Sequence, residues 1–236
     1  SNGSGKSTLF LNLNGVYKPT SGQILYEGKP LDYSRKGLLQ LRRNVGIVFQ
    51  DPDNQLFCAS VAGEISFGLY NLGLEEEEIR TRVNQVCDRT PFPTKPTHFL
   101  SGGQKKRVSI ADILVMGPQL LILDEPFSAL DPKHARMIDD ILEQLAQEGI
   151  TVVIATHNTD HAYRWADRVV LLNNAHILAQ GSPEQIFSDH DLLSQANLEA
   201  PQMLRVRDVL ANQGLLSSDC FPKTPEQLAE LLGQKK

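Results

Sequence analysis

The sequence predicts an α/β protein built on a parallel sheet with crossover helices. Two observations predict it. Short apolar runs alternate with helix-period segments up to about residue 188, and several of these runs are apolar at every position, the mark of strands covered on both faces.

In chain order, 6–13 reads as a helix that follows a glycine loop, and 23–26 and 45–49 read as strands. A helix over 75–87 opens with Glu75 to Glu78, acids that suit the positive end of a helix dipole. Pro91, Pro93 and Pro96 make 90–97 an extended connector. A helix over 101–116 carries apolar residues at Val108, Ile110, Ala111 and Leu114, and 120–123 is a strand. The helix over 132–148 begins with Pro132 and stops at Gly149. Strands follow at 152–155 and 169–172. Beyond 188 the strand pattern ends, and 192–196, 204–211 and 225–232 read as short amphipathic helices. The expected organisation is one domain over 1–188 and a small helical extension over 189–236.

The 236 residues carry a formal charge of −5 and a hydrophobic fraction of 41%. That composition excludes a disordered chain, a collagen-like chain and a small disulfide scaffold. The acidic balance argues against a dedicated nucleic-acid binder. Cys58, Cys87 and Cys220 form no C-x-x-C pair, so reduced thiols in the cytosol are expected. No apolar run approaches the ~18 residues of a membrane span, so a membrane role would act through a partner. No basic region followed by an apolar one opens the chain, so a signal peptide is not expected.

Three constellations carry chemistry. Asn2-Gly3-Ser4-Gly5-Lys6-Ser7-Thr8 contains the G-K-S end of a phosphate-binding loop, whose first glycine would fall one residue before Ser1. Glycines let backbone N–H groups approach phosphates, Lys6 can neutralise them, and the Ser7 hydroxyl can bind Mg²⁺. A glycine-rich turn with a chance lysine is the plain alternative for this motif alone. Leu120 to Leu123 ends in Asp124-Glu125, which sets two carboxylates at the strand edge where open α/β sheets bind ligands. Asp124 suits a metal, and Glu125 suits orienting or deprotonating a water; an acid pair capping a strand before Pro126 is the plain alternative. Leu100-Ser101-Gly102-Gly103-Gln104 opens a helix with backbone donors turned to an anion. An ordinary cap, for which Ser101 is a good residue, is the plain alternative, although caps rarely need two successive helix-weakening glycines.

Taken together, these residues resemble the ATP-binding subunits of ABC transporters, in motif order from residue 1 to about 160. Residues 100–104 match the LSGGQ motif. Gln50 takes the Q-loop position, Asp124 and Glu125 the Walker B pair, Ser128-Ala129-Leu130-Asp131 the D-loop, and His157 the switch histidine. The resemblance implies a P-loop NTPase fold of a RecA-like parallel core, an antiparallel β part and a helical subdomain at about 51–117. It implies a head-to-tail pair of ATPase subunits, homodimeric or heterodimeric, with ATP and Mg²⁺ between the Lys6 loop of one and Ser101-Gly102-Gly103 of the other. Gln50 would sense Mg²⁺ or the attacking water, Glu125 would orient that water, and His157 would contact the γ-phosphate. Residues 2–8, 101–104 and Asp131 would bind nucleotide, and Ser7, Gln50 and Asp124 would hold the metal.

A finer resemblance covers 49–57, 65–69 and 71–74, which are similar to energy-coupling-factor ATPases, subunits that drive uptake of cobalt, nickel or vitamins. Residues 28–34 resemble the cobalt branch. This implies a transmembrane coupling subunit and a substrate-binding membrane subunit as partners, a place on the cytoplasmic face of the membrane, and a coupling surface near 51–67. Leu56 and Phe57 are its candidate contacts, with burial in the domain's own core as the alternative. The 86–100 connector is shorter than usual for the family. The first strand or strands and an adenine-stacking aromatic that precede the lysine loop in the family are not in the sequence. The expectation is an N-terminally incomplete domain that binds ATP poorly alone.

Of the histidines, His157 and His161 with Asp160 are a weak metal pattern, and His98, His134, His176 and His190 read as surface residues. Arg42-Arg43 and Lys105-Lys106-Arg107 read as solvated helix faces. Rival functions are a soluble ABC ATPase of repair or translation, and a non-catalytic binding module.

Overall fold

A computed structural model describes residues 3–89 and 95–233. Two compact units emerge, one of Ser7–Ala155 and one of Ser1–Lys6 with Thr156–Lys236.

The larger unit begins in α1 (Lys6–Leu13), whose Phe10 is buried. A two-residue antiparallel ribbon follows, β1 (Leu25–Tyr26) with β2 (Lys29–Pro30). The Ser34 hydroxyl caps α2 (Arg35–Asn44) by accepting from the Gly37 amide. Strand β3 (Val45–Val48) comes next, buried at every position. Ser60 caps α3 (Val61–Asn71), and α4 (Glu76–Arg89) opens with its run of acids. Then come α5 (Gly102–Leu114), β4 (Leu120–Asp124), α6 (Pro132–Gln147) and β5 (Thr151–Ala155).

β3, β4 and β5 form a parallel sheet in that order, with Val48 opposite Leu123 and Leu123 opposite Ile154. This register brings the three C-terminal strand ends to one edge, which delivers Gln50 and the 124–125 acids together. Phe10, Leu41, Val45, Ile47, Ile122 and Ala155 pack one core around the sheet. A second core of Ile65, Leu69, Ile79, Leu100, Val108 and Val115 joins α3, α4 and α5. Helix α5 also rides close on β3, because Gly46 lacks the Cβ that would meet Ile113 Cγ2 at 2.1 Å.

The smaller unit contains α7 (Thr159–Trp165), β6 (Val169–Asn173), β7 (His176–Gly181), α8 (Pro183–Phe187), α9 (His190–Gln195), α10 (Gln202–Asn212) and α11 (Pro225–Gly233). Strands β6 and β7 pair antiparallel. Tyr163, Leu171, Ile186, Phe187, Leu193 and Leu204 share one core. The contacts divide at 155/156, and α9 and α10 bury Leu193 and Leu204 against Leu171 of β6 and Tyr163 of α7. Among the described residues, no helix is long and apolar enough to cross a membrane.

Candidate functional site

One cleft of about 560 Å³ in the larger unit is lined by Ser7, Gln50, Asp124, Gly102, Lys106 and Ser128, among others. α1 and β4 bring two residues 117 apart in sequence into contact: Ser7 Oγ donates to Asp124 Oδ2 at 2.6 Å. A hydroxyl and a carboxylate converging on one point are the oxygen donors a hard divalent cation takes. Asp124 and Glu125 are 8% and 7% exposed, so both acids are largely buried. Glu125 stands at φ +45°, a left-handed conformation that costs a non-glycine residue about 1 kcal/mol or more. Its backbone is held from both sides. The amide donates to Ala155 O at 2.9 Å, and its carbonyl accepts from the Ser128 amide at 3.1 Å. The strain turns the chain sharply just after the strand, at the position assigned to the water-orienting acid.

Ser101, Gly102, Gly103 and Gln104 open α5. The Ser101 hydroxyl accepts from the Gln104 amide at 3.3 Å, and Gln104 Oε1 accepts from the Ser101 amide at 2.9 Å. This reciprocal capping box leaves the exposed Gly102 at the helix start. Gly103 is needed for a different reason, since a Cβ there would lie 2.6 Å from the His134 ring. His134 Nδ1 lies 2.6 Å from Asp131 Oδ2, while Asp131 Oδ1 accepts from the Lys133 and His134 amides. These bonds, the His134 amide foremost, hold the Asp131 carboxyl below its usual pKa. His134 is thus a link between the 131 and 103 positions and not a plain surface residue.

The basic run also departs from a solvated face. Lys105 pairs with Asp53 at 2.5 Å, but Lys106 and Arg107 are only 2% and 7% exposed. Lys106 Nζ donates to the Phe49 carbonyl at 2.9 Å and the Gln50 carbonyl at 2.5 Å. Burial brings the ammonium down to about 8, with Asp51 and Asp124 pulling the other way. Sequence reasoning missed this residue; the one available signal was helical spacing, which sets 106 beside Gly102 and Gly103 on the helix face turned to the cleft.

In the smaller unit, Gly3 and Gly5 adopt φ +76° and +92°, conformations that glycine takes at no cost. Ser4 is buried, its carbonyl accepts from the Ala175 amide at 3.1 Å, and Lys6 Nζ donates to Ser4 Oγ at 3.3 Å. His157 is exposed in that unit, and Thr8 is exposed in α1. Asn2 and most of the 90–97 connector lie outside the described residues. Among the described residues no cluster of three metal-ligating side chains occurs.

The family description "ABC transporter" matches residues 1–128. The energy-coupling factor transporter ATP-binding protein EcfA2 of Clostridium perfringens is 48% identical over 213 residues, covering 89% of this chain and 75% of that protein. The chain belongs to the ABC transporter family. Within it, the chain is an ATP-binding subunit of the energy-coupling-factor type, and an ATPase. A solved structure of CbiO1 from Clostridium perfringens, described as part of the ABC transporter complex CbiONQ, superposes with a TM-score of 0.73. The two are 48% identical, over 89% of this chain and 84% of that one. The dimeric ATP-binding cassette MJ0796, bound to ADP and Pi, superposes with a TM-score of 0.69 at 28% identity, over 78% of this chain and 82% of that one. The expected fold, a parallel core with an antiparallel part and helices, is the one observed.

Proposed function

We propose that this ABC ATPase drives uptake of a transition metal, cobalt, through an energy-coupling-factor transporter. The observation that carries the ATPase site is the 2.6 Å contact between Ser7 and Asp124, which joins the two metal-binding motifs at the sheet edge. Mg²⁺ held by Ser7 and Asp124, with Gln50, would neutralise charge on the β- and γ-phosphates. Lys6 and the 2–8 backbone donors bind the phosphates. Glu125 orients the attacking water and accepts its proton, Gln50 aligns that water, and His157 contacts the γ-phosphate. Ser101, Gly102, Gly103 and Gln104, with Asp131, serve the nucleotide of a second ATPase subunit packed head to tail, in a homodimer or a heterodimer.

The cargo assignment draws on the similarity to CbiO1 of the CbiONQ complex and on residues 28–34. The partners are a transmembrane coupling subunit and a substrate-binding membrane subunit, at the cytoplasmic face of the membrane. Phe57, 66% exposed and edge-on to Phe67 at 4.6 Å between ring centroids, supports a docking role for the loop after Gln50. Leu56 packs instead against the α3–α5 core. Uptake of cobalt and nickel by the assembled complex, with and without Glu125→Gln, tests the proposal. Cobalt uptake that persists with Glu125→Gln, or that is outrun by nickel, counts against it.

A further inference from the structure

Lys106 is the buried cation of the cleft that the nucleotide chemistry leaves without a task. It lies on α5, five residues beyond Ser101, and is 2% exposed. An ammonium taken out of water is costly unless its protons are used. Here two of them go to the Phe49 and Gln50 carbonyls. These carbonyls belong to the peptide planes on either side of the Gln50 Cα. Fixing both planes fixes φ and ψ at residue 50, and with them the direction in which the Gln50 side chain leaves the backbone.

The same helix carries the Ser101–Gln104 capping box at its start. Gln55 adds a second tie, since its Nε2 donates to the Ser109 carbonyl of α5 at 2.9 Å while its Oε1 accepts from the Phe49 amide at 3.4 Å. The 49–50 segment is therefore fastened to α5 through buried and half-buried side chains, and the charge-assisted bonds of Lys106 are the strongest of them.

We infer that Lys106 is a positioning residue that locks the Gln50 backbone to the helix bearing 101–103, so that the two move as one body. In the proposed dimer Gln50 serves the subunit's own nucleotide and 101–103 serve the partner's. Lys106 then makes closure on one nucleotide set the aim of the glutamine at the other. The inference rests on the proposed role of Gln50 in hydrolysis.

Steady-state ATPase kinetics of the assembled transporter test it, with Lys106→Met, Lys106→Gln, Gln50→Ala and the double variant Gln50→Ala/Lys106→Met. Lys106→Met is expected to lower kcat roughly ten- to a hundredfold, the loss that follows from small misplacements of reacting groups, while KM for ATP stays within about twofold. The double variant should be no slower than Gln50→Ala alone, because the lysine acts through the glutamine. Lys106→Gln keeps a donor and much of the length, and serves where the Met variant does not fold. It should show a smaller fall in kcat at unchanged KM. Parental kcat in Gln50→Ala overturns the reading of Gln50 and the inference with it. A slowed Gln50→Ala beside parental kcat in the Lys106 variants overturns the inference alone, as do fully additive losses in the double variant.

Discussion

Replacing Asp112 by Asn should stabilise the protein at neutral pH and leave it unchanged in acid. Asp112 sits half-buried on α5, and Gln55 Nε2 donates to its Oδ2 at 3.3 Å. Burial pushes its carboxyl up from 3.8 to about 7; the Gln55 bond works against the rise and the Glu64 charge adds to it. The native state therefore keeps a proton here that the unfolded chain gives up near pH 4. Between those values the native state binds more protons, so stability falls as pH rises and levels off above about 7. About three pKa units correspond to at most about 4 kcal/mol. Partial solvent access reduces the expected share to about 2 kcal/mol. Asparagine keeps the acceptor for Gln55 and has no proton to lose. Urea unfolding of both proteins at pH 5, 6, 7 and 8 measures the effect. The variant's advantage should grow across that series and be largest at pH 8. An advantage that stays constant from pH 5 to 8 refutes a raised Asp112 pKa.

Other expectations address the sheet, the glycines and the chemistry. Gly46→Ala drives a methyl into Ile113 and should cost about 1–3 kcal/mol in unfolding free energy, with Ile113→Ala recovering part of it. Gly103→Ala meets the His134 ring and should reduce ATP turnover; adding His134→Ala, which clears the space, should restore some of it. Glu125→Gln should retain ATP binding and lose turnover by about a hundredfold or more, and single-turnover hydrolysis at the parental rate would remove Glu125 from its role. Phe57→Glu should leave the thermal melt within about 0.5 kcal/mol of the parent, as befits an exposed site, while abolishing co-purification with the membrane subunits.

The sheet was legible where burial was complete. β3 and the 120–123 part of β4 carry no polar side chain because both faces are covered, and the strand ends lie within a residue of the expected positions. β5 was equally apolar in sequence, yet alternates between exposed and half-buried positions up to Ala155. Helices α2 and α3 escaped notice for opposite reasons. α2 is dominated by Arg35, Lys36, Arg42 and Arg43, and α3 contains Gly63 and Gly68, residues that weaken helix propensity until tertiary packing compensates. β1 and β2 are two residues long, too short for any periodic signal. The candidate site residues could be proposed from sequence because motif spacing is local. The buried lysine was not, because its partners are main-chain carbonyls 56 and 57 residues away, and no side-chain pattern marks a carbonyl as an acceptor.

The capping box of α5 divides one oxygen atom between two tasks. The Ser101 hydroxyl gives a lone pair to the Gln104 amide, and that bond does not consume its proton. In the proposed dimer, holding the helix and greeting the partner's nucleotide would thus draw on different sides of the same atom, so a phosphate could arrive without the helix having to let go. Threonine preserves both sides and alanine removes both. A loss at 101 would then register twice, as a frayed helix start and as a missing donor, and the helix that frays is the one that carries Lys106.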